Sequence, residues 1–155
     1  MQVVCNLGSS QAPDGWLRRS EVFGTAIKFI LDAMVANNLL YLSLHPNTPP
    51  LYRSGVRYAN EPEWKFNGKP AEEFASIPIV LERLKGDCDD LATYRCAELI
   101  RRGERATIRI QWRRRVYSDG TKGRKYFHVV VRRQNGSIED PSALLGMHDV
   151  VRVPA

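Results

Sequence analysis

Gly86-Asp87-Cys88-Asp89-Asp90-Leu91-Ala92 is the stretch from which the rest of the chain can be read. Leu91, Ala92, Arg95, Cys96, Leu99 and Ile100 follow at helical spacing, so the sequence predicts a helix from near Cys88 to just before Gly103. Asp87 is a natural cap for its start, Arg101 and Arg102 suit the negative end of its dipole, and Gly103 is a natural stop. Cys88 therefore falls in the first turn. Unpaired backbone N–H groups and roughly half a positive charge gather there. Both favour a thiolate, and the same N–H groups can hold an oxyanion. The three aspartates beside Cys88 suit the dipole, but their charge opposes a thiolate, so the site calls for a neighbouring imidazolium.

Downstream the period changes from helical to two. Ile108, Ile110 and Trp112 alternate with Arg109, Gln111 and Arg113, the pattern of a half-buried strand. Ser118-Asp119-Gly120 is a turn, and Arg124 to Arg133 reads as a second strand antiparallel to the first. That strand holds His128, forty residues after Cys88, within Tyr126-Phe127-His128-Val129-Val130-Val131. Asn135-Gly136 turns the chain again toward Asp140-Pro141-Ser142, twelve residues after the histidine, and Val150 to Val153 reads as a last strand. A histidine in an apolar strand is commonly a core residue, and an aspartate before proline is commonly a turn residue. Thiol, imidazole and carboxylate in this order are nevertheless the three parts of a thiol-based acyl-transfer site.

Upstream, Ser20 is a candidate N-cap. Val22, Phe23, Ala26, Ile27, Ile30, Leu31, Met34 and Val35 share one face of a helix extending to about Leu44, where His45-Pro46 stops it. The segment from Gly8 to Gly15 reads as loop. Pro46 to Pro70 reads as a long ordered loop, with Tyr52, Tyr58, Trp64 and Phe66 between its prolines. A short helix is expected over Ala71 to Lys85, interrupted or restarted around Pro78. Helices first, then an antiparallel sheet, give one α+β domain over residues 1–155.

Composition narrows the class. The chain has 155 residues, 43% hydrophobic and 26% charged, ordinary for a globular domain with a core of its own. No unbroken run approaches the ~18 apolar residues of a membrane span, and Met1 to Gly8 does not read as a secretory signal. Three cysteines at no regular spacing argue for a reducing compartment rather than a disulfide framework. Cys88 and Cys96 on one helix would stand ~12 Å apart, so Cys96, like Cys5, reads as a small apolar residue. Asp87, Cys88, Asp89 and Asp90 with His128 lack the spacing of a zinc site, and His45 and His148 have no local partners. No nucleotide fingerprint occurs, and neither metal nor cofactor is expected. The net charge of +6 is concentrated between Arg101 and Arg133, where twelve Lys or Arg face two acids. That sector is a solvated strand face or a surface for nucleic acid, an acidic protein or an anionic polymer.

Taken together, Gly86 to Ala92, the strand around His128 and Asp140-Pro141-Ser142 resemble the transglutaminase-like superfamily of papain-like thiol enzymes, over a little more than a third of the chain. Thr48 to Tyr58 is similar to small members carried by tailed bacteriophages. The resemblance implies a papain-like core with Cys88 as nucleophile, His128 as general base and acid, and Asp140 orienting the imidazole. It also implies an oxyanion hole made by the Cys88 N–H and one upstream donor, Trp64, Tyr58 or Asn60. Many members carry tryptophan two residues after the histidine, where Val130 stands here. The expected activity is that of a cysteine peptidase or amidase working through an acyl-thioester on a peptide or protein amide. Hydrolysis is favoured over amine transfer, because a small domain with an open cleft has no device to exclude water. The expected setting is a reducing cytoplasm, that of a host or a virion if phage-encoded, without a membrane. One rival is a non-catalytic structural or nucleic-acid-binding module of a phage particle, using the basic 101–133 sector. Another is a cell-wall peptide hydrolase with the same triad.

Overall fold

The structure, a computed structural model, describes residues 2–6, 16–60, 64–66, 69–116 and 120–147. In chain order the elements are β1 (Gln2–Asn6), α1 (Trp16–Leu44), a 3₁₀ turn (Leu51–Arg53), β2 (Arg57–Tyr58), β3 (Trp64–Phe66) and β4 (Lys69–Ala75). Then follow α2 (Ile77–Arg83), β5 (Lys85–Gly86), α3 (Cys88–Arg101), β6 (Thr107–Val116), β7 (Lys122–Arg132), β8 (Ile138–Glu139) and α4 (Pro141–Leu144). The α+β reading holds at this level.

The centre of the domain is α3. Every residue from Leu91 to Leu99 is buried, so this helix is enclosed on all sides. On one side lies α1, which buries Ile27, Leu31, Met34, Asn38 and Leu42. On the other lies the antiparallel sheet β6-β7-β8, whose Ile108, Val129 and Val131 join the same core as Leu91, Ala92, Cys96 and Leu99. Asn38 shows how closely these parts are fitted. Its side chain is fully buried, donates to Thr93 Oγ1 at 3.3 Å and accepts from the Ile77 N–H at 3.0 Å. One amide thus joins α1, α3 and the start of α2.

Three expectations are corrected. The first helix begins at Trp16, so Ser20 lies inside it rather than capping it. Ala71 to Ala75 is strand, because β4 is paired on both sides, with β1 (Val3 opposite Phe74) and with β3 (Trp64 opposite Ala71). A local run of good helix formers is overruled there by pairing with a strand some seventy residues away, which no local pattern reveals. At Pro78 the chain is not interrupted within a helix; the alternative of a restart holds, with Pro78 in the first turn of α2, where its missing N–H has no partner to lose. The expected long loop after Pro46 contains the 3₁₀ turn, β2 and β3. Helices therefore do not simply precede a sheet: a second antiparallel sheet, β1-β4-β3, is made from the first half of the chain. The expected loop from Gly8 to Gly15, the strand from Val150 to Val153, and His148 lie outside the described residues.

By length and mean hydropathy (1.3), Gly24–Leu44 could cross a membrane, which the absence of an unbroken apolar run had hidden. Its buried face packs on α3, as a core helix does.

Candidate active site

Cys88 is the first residue of α3. Asp87 caps the helix, its Oδ1 accepting from the N–H of Asp89 at 3.2 Å and of Asp90 at 3.5 Å. Asp90 Oδ1 accepts from the Ala75 N–H at 2.6 Å, which ties the start of α3 to β4. Gly86 lies close beneath: a Cβ there would stand 3.1 Å from Asp90 Cβ, so a larger residue would press on the first turn. Cys88 itself is half-buried. Cys96 is fully buried, and that burial pushes its thiol up to about 12, the condition of an inert cysteine.

His128 and Asp140 are brought together. Nε2 of His128 lies 2.9 Å from Asp140 Oδ2, with the imidazole 2% exposed. The strand register explains the meeting. Val131 pairs with Glu139 and Arg132 with Ile138, which sets Asp140 opposite Val130 and diagonal to His128, on the same face of the sheet. The second oxygen, Asp140 Oδ1, accepts from the Ala143 N–H at 3.2 Å and caps α4. One carboxylate therefore starts a helix and fixes a histidine. An ionised carboxylate only accepts, so the ring nitrogen facing it is the protonated one, and Nδ1 carries the lone pair.

A belt of backbone pairing joins this pair to the segment before Cys88. Tyr58 pairs with Gly86 in the parallel β2-β5 ladder, Ala59 N–H donates to Gly86 O at 3.0 Å, and Tyr58 N–H donates to Leu145 O at 3.0 Å. Of the three proposed oxyanion donors, Tyr58 and Asn60 lie in or beside this belt. The Tyr58 hydroxyl donates to Asn60 Oδ1 at 2.6 Å. Trp64 opens β3, and its side chain lies outside the described residues.

The sequence reading missed the charged network behind Asp140. Glu139 accepts from Arg95 Nε at 2.5 Å, from the Tyr52 hydroxyl at 2.5 Å and from Arg133 at 3.2 Å. Arg95 also meets Glu98 at 3.1 Å and stacks over the Tyr52 ring at 5.0 Å, while Glu98 accepts from the Leu51 N–H at 2.9 Å. Burial alone would raise the Glu139 carboxyl, but Arg95, Tyr52 and Arg133 together hold it below the usual range. Arg133, counted in the basic sector, also makes two 2.7 Å bonds to Glu104. Part of that sector's charge is thus balanced within the fold.

Among the described residues, Asp89 is the buried carboxyl with neither oxygen compensated. It is 1% exposed, and neither carboxyl oxygen has a hydrogen-bond partner, although ligand oxygens of Asp87, Asp89 and Asp90 lie within 4.8 Å of one another. Burial first, and then the charge of Asp87, push its carboxyl well above the ordinary range, so the neutral form is favoured more than it would be in water. A raised acid contributes stability that is full below its unfolded value, near 4. That stability is lost, at up to ~1.4 kcal/mol per pH unit, as pH rises toward the folded value. Asp89→Asn is therefore expected to stabilise the fold by about 1–3 kcal/mol at pH 8 and to have little effect at pH 4. Urea midpoints of both proteins at the two pH values measure this, and an equal difference at both would refute it.

His45 stacks on Tyr41, with ring centroids 4.2 Å apart, and its Nδ1 lies 2.9 Å from Tyr41 O at the end of α1. It belongs to the helix terminus rather than to the site. Comparison of the chain with protein-family models, with curated proteins and with solved structures finds no match.

Proposed function

We propose that this chain is a transglutaminase-like cysteine peptidase or amidase with a papain-like core, working through a Cys88-His128-Asp140 triad. The observation that carries the reading is the 2.9 Å contact between His128 and Asp140, which supplies the base and its orienting carboxylate. One further feature supports it: the Tyr58-Gly86-Leu145 belt ties the segment before Cys88 to α4, which Asp140 caps.

The chemistry follows from the tautomer. His128 Nδ1 takes the Cys88 proton as sulfur attacks the carbonyl carbon, and the new oxyanion is received by the Cys88 N–H. Tyr58 directs its hydroxyl to Asn60 Oδ1, which turns the Asn60 NH₂ away and makes that amide the second donor we assign. Collapse of the intermediate breaks the C–N bond, with His128 returning the proton to the leaving amine. Water, deprotonated by the same nitrogen, then cleaves the thioester to a carboxylic acid and restores the thiol. Asp140 keeps the ring in one tautomer throughout.

Labelling tests the reading directly. A peptide carrying a chloromethyl ketone is expected to modify Cys88 stoichiometrically while leaving Cys96 untouched, as read by peptide mass spectrometry. His128→Ala is expected to slow the labelling at least tenfold. Indifference of Cys88 to that substitution would overturn the proposal.

A further inference from the structure

The outer face of α1 has the wrong chemistry for a surface in water. Ala26, Phe29, Ala33, Ala36 and Leu40 are all exposed, at successive spacings of three, four, three and four residues. Ser43 continues the series and Leu44 flanks it, with Phe29, Leu40 and Leu44 exposed by 71%, 60% and 67%. Between Gly24 and Leu44 the only charged residues are Lys28 and Asp32, and they are bonded to each other. An amphipathic helix ordinarily turns charge toward solvent. This one carries two apolar faces, one against α3 and one exposed.

The spacing is that of a coiled-coil seam, and its order specifies a partner. About a point midway between residues 34 and 35 the stripe is its own complement in the antiparallel sense. Ala33 falls opposite Ala36 of a second copy, Phe29 opposite Leu40, and Ala26 opposite Ser43. Small residues meet at the centre, where two backbones can approach, and large residues meet outside it. We infer that the chain forms a two-fold dimer through antiparallel pairing of its first helices.

The area is sufficient. With ~150–250 Å² for an aromatic side chain and less for each leucine and alanine, two copies would bury on the order of 1,000 Å², the lower bound of a specific interface. A lipid surface is the rival occupant, because the same stretch has the length and hydropathy of a membrane-crossing helix. The self-complementary order of small and large residues has no meaning for lipid, so the second copy is favoured.

Sedimentation of the full chain from 1 to about 500 µM tests the inference. A dimer is expected, and Ala36→Glu, on an exposed position that leaves the helix intact by circular dichroism, is expected to weaken it at least tenfold. Orientation is read by oxidising a mixture of Phe29→Cys and Leu40→Cys chains in a Cys88→Ala background. The mixed pair is expected to cross-link, whereas Phe29→Cys alone is not, since its two thiols would stand ~16 Å apart along the helices. A monomer at all concentrations, a dimer indifferent to Ala36→Glu, cross-linking of Phe29→Cys to itself, or monomeric chain binding to phosphatidylcholine vesicles would each overturn the proposal.

Discussion

His128→Ala is expected to reduce turnover of an activated ester or peptide amide by ~10³-fold or more, with the fold unchanged by circular dichroism at moderate temperature. The imidazole is the group positioned to take the thiol proton and return it to the leaving amine, so its loss affects both bond-forming and bond-breaking steps. Asp140→Asn gives the sharper test. The carboxamide oxygen of that variant can still accept the Ala143 N–H and cap α4, as Asp140 Oδ1 does now. Its NH₂, however, would face His128 Nε2 and move the ring proton to Nδ1, the nitrogen that must act as base. The expected outcome is a stable protein slowed by ~10²-fold or more. Stability and rate therefore separate in this variant. If Asp140→Asn loses fold and activity in parallel, Asp140 is a helix cap only, and the triad is refuted. A cysteine that still releases a burst of p-nitrophenol from its ester at full rate would refute it as well.

The residues proposed for the triad stood out because their local sequences are informative: a capped helix start, an apolar strand, and a carboxylate before a proline that begins a helix. The helix from Cys88 was legible for the same reason, since Asp87, Arg101 and Gly103 mark its ends within one short segment. What escaped was non-local. Nothing within Ala71 to Ala75 reports that Val3 to Cys5 will pair with it, because the partner strand is about seventy residues away. Arg95 looked like one more residue at helical spacing, yet it is enclosed with Glu98 and Glu139, which no pattern in α3 discloses. Asp89 looked like a helix-dipole acid, but its burial makes it the one carboxyl in the first turn with no donor. Periodicity reports which face of an element is apolar. It does not report which polar group the tertiary fold will enclose.

Asp89 and Glu139 make the fold respond to pH in opposite directions. Glu139 is held below its ordinary value, so its contribution is present at neutral pH and is lost as pH falls through the acid range. Asp89 is held above its ordinary value, and its contribution fades as pH rises. Between the two, their summed contribution peaks near the ordinary carboxyl range, at about pH 4. Asp89→Asn should move that peak toward neutral pH.

Arg95→Met is expected to be the most damaging substitution for the fold, at about 3–5 kcal/mol. The reason is not the strength of the ion pairs themselves, since a buried pair gains little over a well-packed apolar substitute. It is that Arg95 serves two carboxylates at once, Glu98 and Glu139, whose side chains are only 6% and 11% exposed. Removing the guanidinium leaves Glu98 with the Leu51 N–H, and Glu139 with Tyr52 and the partly exposed Arg133. One or both acids would then take up a proton or draw in water. Arg95→Lys should recover less than half of the loss, because one ammonium cannot reproduce the fork that meets Glu139 through Nε and Glu98 through Nη1. The double variant Arg95→Met, Glu98→Gln separates charge from packing. If uncompensated charge dominates, the second change restores at least ~1 kcal/mol to the single variant; if packing over the Tyr52 ring dominates, it makes matters worse. Guanidinium unfolding of the four proteins decides between them. Because Glu139 immediately precedes Asp140, Arg95→Met is also expected to slow ester turnover at temperatures where the chain is still folded. A loss of stability with unchanged turnover would show that the network behind β8 holds the fold without positioning the site.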